Sequence, residues 1–137
     1  MYQLLLIIPV ILVSLLKQPE ATVTPATASV TETATAEAEP PSTKEYAHLR
    51  VAQEFGEEHW KAFDNLIEKE SGWNPTVCNS RSTACGLGQF LAQTRANYGI
   101  TVESQPNDQV EAVINYIKDR YSNPIEAWKF HIKNNWY

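Results

Sequence analysis

The chain has 137 residues and carries 11 Lys and Arg against 16 Asp and Glu, a formal net charge of −5 at pH 7. With no clustered basic stretch, that balance argues against a nucleic-acid partner. All four Trp, all four Phe, all five Gly and both Cys lie within residues 44–137, so only this part has the material for a core.

Residues 4–16 form an uncharged apolar run of 13 residues. That is short for a bilayer span but right for the hydrophobic region of a signal peptide. No basic residue precedes the run and Lys17 follows it, so residues 1–17 are expected to act as a cleaved signal or a retained signal anchor. The expected location is extracellular or cell-wall-associated, with membrane anchoring through residues 4–16 if the run is kept. Residues 18–43 hold seven Thr, six Ala, four Pro and four Glu, with no Gly and no aromatic residue. Such a stretch cannot bury enough apolar surface to offset its chain entropy, which predicts a solvated linker. As a flexible coil it would span about 28 Å, and fully extended about 90 Å.

Residues 44–137 read as one mostly α-helical domain of about five helices, because no segment alternates long enough for a strand of consequence. A first helix is expected over 44–55, with Tyr46, Leu49, Val51 or Ala52, and Phe55 on one face, ending at Gly56. A second runs over 57–71 with the stripe Trp60, Phe63, Leu66, Ile67. Asn74-Pro75 then disfavours helix, and residues 74–84 predict a loop or minimal hairpin. A third helix is expected from about Gly88 to Tyr98. A fourth starts near Asp108, which with Glu111 resembles a capping box, and presents Val110, Val113, Ile114, Ile117 and Tyr121. The fifth has Asn123 as N-cap and Pro124 at the first helical position.

Cys78 and Cys85 are the only cysteines, and in an exported chain they favour a disulfide closing that loop. Closing so small a loop contributes about 2.5 kcal/mol on the chain-entropy model. His48, His59 and His131 share no zinc-motif spacing with them, so no metal is expected.

Extending the second helix's i, i+3, i+4, i+7 stripe lands on Glu70, just before Ser71-Gly72-Trp73-Asn74-Pro75. A carboxylate there must be desolvated or must line a cleft. Desolvation raises its pKa and suits it to act as a general acid, the group needed to protonate a glycosidic leaving oxygen. A capped or salt-bridged structural role is the competing explanation. Residues 71–102 contain no Asp or Glu, so the other cleft wall offers no obvious second carboxylate; Glu103 and Asp108 are the nearest downstream. That absence fits a single-acid mechanism in which the substrate supplies its own nucleophile.

The segments Glu70-Ser71-Gly72-Trp73-Asn74-Pro75, Gly86-Leu87-Gly88-Gln89, Tyr116-Ile117-Lys118-Asp119-Arg120-Tyr121, Trp128-Lys129-Phe130-His131 and Asn134-Asn135-Trp136-Tyr137 resemble the soluble lytic transglycosylase domain. Within that lysozyme-like superfamily the similarity is greatest to small cell-wall enzymes of Gram-positive bacteria and their phages, and it covers residues 46–137. It implies a lysozyme-like fold that cleaves the bond between N-acetylmuramic acid and N-acetylglucosamine in peptidoglycan, with the muramic 6-hydroxyl closing a 1,6-anhydro ring. Glu70 matches the family's acid and base, and Gln89 matches a residue lining the glycan cleft. The last motif departs from the family's Ala-Tyr-Asn pattern. Ser71, Tyr116, Trp128 and His131 join Gln89 as candidate substrate contacts, with Trp73 and Trp136 as further aromatic candidates. Peptidoglycan strands are the expected partner, no cofactor is implied, and a monomer is expected. The competing functions are a hydrolytic muramidase, a non-catalytic peptidoglycan-binding or aggregation-promoting surface domain, and a wall-opening component of a larger machine.

Overall fold

A computed structural model describes residues 39–137. The expected signal segment and most of the expected linker, through residue 38, lie outside the described residues. Helix α1 spans Thr43–Phe55 and starts from a capping box in which Ser42 accepts from the Glu45 N–H while Glu45 accepts from the Ser42 N–H. This cap consumes the last residues of the expected linker. Gly56 ends α1 at φ 106, a conformation that glycine adopts without steric cost. The expected second helix opens instead as a 3-10 turn, Glu57–His59, before helix α2, Trp60–Ser71, which Gly72 stops in the left-handed region.

Helix α3 is shorter than its sequence pattern predicts, Ala92–Asn97, because Gly88–Leu91 has another task. Cys85 forms isolated antiparallel bridges with both Cys78 and Phe90, and the Cys85 N–H donates to the Phe90 carbonyl at 3.2 Å. The disulfide Cys78–Cys85 closes the loop as expected. Helix α4, Pro106–Tyr121, begins on Gln105 with no side-chain cap, and helix α5, Pro124–Asn134, is capped by Asn123, which accepts from the Glu126 N–H. The expected Asp108–Glu111 capping box does not form. Glu111 is taken by long-range partners: Arg50 Nε at 2.6 Å, Arg50 Nη2 at 2.9 Å and Tyr46 Oη at 2.7 Å.

The core gathers Ala47 and Val51 of α1, Phe63, Leu66 and Ile67 of α2, Leu87 and Phe90 of the loop, Ala127 of α5, and α4's Val110, Val113, Ile114 and Ile117. Each fully buried aliphatic or aromatic side chain contributes about 1.5–3 kcal/mol. Leu49, expected on the inner face of α1, is 60% exposed; the helix instead turns Ala47 and Val51 inward. The fold is mostly helical, as expected, and its described helices include none long and apolar enough to cross a membrane.

Gln109 is buried and ties this architecture to the cleft described below. Its Oε1 accepts from the Leu87 N–H at 2.9 Å, while Nε2 donates to Pro75 O at 3.1 Å and Ser104 O at 2.9 Å. One side chain therefore satisfies three backbone groups, two in the α2–α3 connection and one in the α3–α4 connection, that have no helix or sheet to satisfy them. Gly86 makes room for it, since a Cβ there would stand 2.4 Å from Gln109 Oε1.

Candidate active site

Glu70 lies in the last turn of α2 and lines a cavity of about 290 Å³. The loop supplies Gly88, Gln89, Phe90 and Leu91 to its wall, α3 supplies Thr94, and α4 supplies Tyr116 and Arg120. Asn135, Trp136 and Tyr137 complete it from beyond α5. Glu70 is the only Asp or Glu among these residues.

Its side chain is 16% exposed, and burial pushes its pKa up to about 7. The C-terminal end of a helix also disfavours a negative charge, so its placement works in the same direction. His131 Nδ1 approaches Glu70 Oε1 at 3.2 Å but makes no hydrogen bond. Burial, with a smaller contribution from Lys69, holds the His131 pKa below its ordinary value. Burial thus works against the charged form of both groups, which disfavours an ion pair at this contact.

Gln89 sits at φ 48, in the left-handed region, which aims its side chain back into its own loop. Nε2 donates to Val77 O at 3.0 Å and Gly86 O at 2.9 Å. Both amide hydrogens are then committed, which leaves Oε1 as an acceptor and rules out a donor role toward substrate. Tyr137 brings its hydroxyl to Gly88 O at 3.3 Å, and a Cβ on Gly88 would stand only 2.9 Å from that hydroxyl and 2.7 Å from Val113 Cγ2. The absence of a side chain at Gly88 is what lets Tyr137 close the cavity. Burial, then the nearby Glu70 and two other tyrosines, push the Tyr137 pKa well above its ordinary value, so it remains a neutral phenol.

A family model described as the transglycosylase SLT domain matches residues 50–133. The chain belongs to this family. No curated protein and no solved structure matches the chain. At family level, an SLT domain is a transglycosylase-type enzyme with peptidoglycan as its substrate.

The SLT domain brings Glu70, Gln89, Tyr116 and Trp136 to one cavity. Ser71, Trp128 and His131 are not among its lining residues. The Ser71 hydroxyl donates back to Ile67 O at 3.3 Å, a bond within its own helix. Trp128 stacks on His131, with ring centroids 5.5 Å apart, and His131 in turn packs against Glu70. Both therefore support the acid from behind. Trp73 is partly buried against the core: its indole N–H donates to Asp64 at 2.9 Å and its ring packs against Trp60 and Phe63. Arg120 and Tyr137 were not singled out from the sequence, although both fall inside motifs that carry the family resemblance. Nothing local marks Tyr137 as part of a cavity, because its hydrogen-bond partner lies 49 positions away.

Proposed function

We propose that this SLT domain is a peptidoglycan lytic transglycosylase that cleaves the N-acetylmuramic acid–N-acetylglucosamine bond and leaves a 1,6-anhydro muramic end. The observation that carries the proposal is a single desolvated carboxyl in a cavity whose lining holds no second one. Protonated Glu70 donates to the glycosidic oxygen as the C1–O bond breaks, with positive charge developing on the ring. Glu70, now a carboxylate, takes the proton from the muramic 6-hydroxyl as O6 bonds to C1. The proton count closes without water. A pKa near the working pH lets one group serve in both steps. The Gln89 Oε1 acceptor and the neutral Tyr137 hydroxyl add no competing charge, and the half-exposed Trp136 ring offers a face to a sugar.

A muramidase would need a group to activate water. Glu103 and Asp108 are both exposed and do not line the cavity. Export through residues 4–16 and work at the cell wall complete the proposal.

The test is mass spectrometry of fragments released from purified cell walls by the full chain, beside its Glu70→Gln variant. Anhydromuropeptides from the wild type and none from the variant are expected. Muramic products with only reducing ends would replace the transglycosylase with a hydrolase. Wall binding without release, equal in both proteins, would replace it with a binding module.

A further inference from the structure

Arg120 is the only Lys or Arg lining the cavity, and it has no carboxylate partner among the described residues. Its neighbours on α4 are engaged: Lys118 pairs with Glu54, and Asp119 accepts from the Tyr98 hydroxyl at 3.1 Å. Arg120 lies instead over three aromatic rings, 5.7 Å from Tyr116, 5.8 Å from Tyr121 and 5.4 Å from Trp136, measured to the ring centroids. Such contacts hold the flat guanidinium at the wall while its N–H fork makes no ion pair with a carboxylate among the described residues. Nor is its charge spent on the acid, since burial alone accounts for the shift at Glu70. A cationic, donor-rich group fixed beside a cavity whose remaining lining, apart from Glu70, is uncharged is suited to a carboxylate on the ligand.

We propose that Arg120 is a specificity residue that recognises a carboxylate of the peptidoglycan strand, so that the cleft distinguishes this acidic glycan from a neutral N-acetylglucosamine polymer. The inference rests on the function proposed above and names the substrate group read at the same site. The carboxylate can come from the peptide stem or, in strands stripped of their stems, from the lactyl ether of muramic acid. The chemistry at Arg120 is the same. Because the ion pair forms at an exposed cleft rim, it contributes to binding more than to the bond-breaking step.

The full chain is tested as wild type, Arg120→Gln and Arg120→Lys on soluble, teichoic-free glycan strands, intact or stripped of stems by an amidase. Neutral N-acetylglucosamine tetramer serves as a binding probe. Arg120→Gln should raise KM about five- to tenfold with kcat within about twofold, as expected for loss of a rim-exposed charged contact. It should flatten the rise of KM with salt, and Arg120→Lys should retain part of the effect. Tetramer affinity should stay within about twofold in all three proteins, which also reports that the cleft is intact. A KM effect seen only with intact strands assigns the stem carboxylate, and one that persists on stripped strands assigns the lactyl group. An unchanged KM on both strands overturns the proposal, as does a parallel loss of tetramer affinity, which would make Arg120 a packing residue. Anhydromuropeptide release by the wild type is scored separately, so either idea can fail without the other.

Discussion

Two partly buried glutamates show how differently one side chain is used in this domain. Glu111, one-third exposed at the α1–α4 contact, is gripped by the Arg50 guanidinium and the Tyr46 hydroxyl, and these hold its carboxyl below the usual range. Glu70, at the cleft, is more deeply buried and has no cation or hydrogen-bond donor to compensate, and its pKa rises to about 7. Pairing turns the first into a permanent anion that joins two helices. Leaving the second unpaired gives a group that can gain and lose a proton near neutrality, at a cost in stability.

The largest expected effect separates them by activity. Glu70→Gln should lower muropeptide release by about 10³-fold or more, the scale of a lost acid–base group, measured as the initial rate on purified walls. Release within tenfold of wild type would remove Glu70 from the chemistry. The same substitution should stabilise the fold at pH 8 by about 1–2 kcal/mol after allowance for partial solvent screening, read from denaturant midpoints. Here the folded pKa of about 7 exceeds the ordinary value of 4.5, so the folded protein binds more protons between those limits and wild-type stability falls as pH rises through that window. The advantage of the variant should therefore vanish below about pH 4.5.

Arg50→Met should do the opposite by leaving Glu111 unpaired. A loss of about 1 kcal/mol at pH 7 is expected for so exposed a pair, with the rate per folded molecule unchanged. Because the Glu111 pKa is lowered on folding, its contribution is present above the ordinary carboxylate value and is lost as pH falls through the folded one. The difference between wild type and Arg50→Met should then shrink in acid. Finally, kcat/KM should decline above about pH 7, as the protonated form of Glu70 that starts the reaction is depleted. A rate that stays level from pH 6 to about pH 9 would show that the acid is not desolvated in solution.

Much of this contrast is legible in the sequence at one end only. The stripe through Phe63 and Ile67 leads to Glu70 because helical periodicity is local, and Gly72 and Asn123-Pro124 mark helix ends for the same reason. Glu111 misleads: three residues after Asp108 it resembles a capping residue, and only tertiary structure reveals Arg50, 61 positions away, as its partner. The late start of α3 has a similar cause. Residues 88–91 have a helical pattern, but the backbone bridge between Cys85 and Phe90 outweighs it. The polar half of the cleft, where Gln89 turns inward and Tyr137 folds back, depends on positive φ values and contacts between distant loops that residue types alone do not encode.

Gln109 also bears on how the cleft moves. Because one buried amide side chain holds the Leu87 N–H together with carbonyls on either side of it in sequence, the wall that carries Gln89 cannot loosen at one loop while the others stay put. The Leu87 amide is therefore a natural clock for cleft opening. Its hydrogen exchange should follow the cooperative release of the whole wall rather than local fraying, and a bound strand should slow it without touching it.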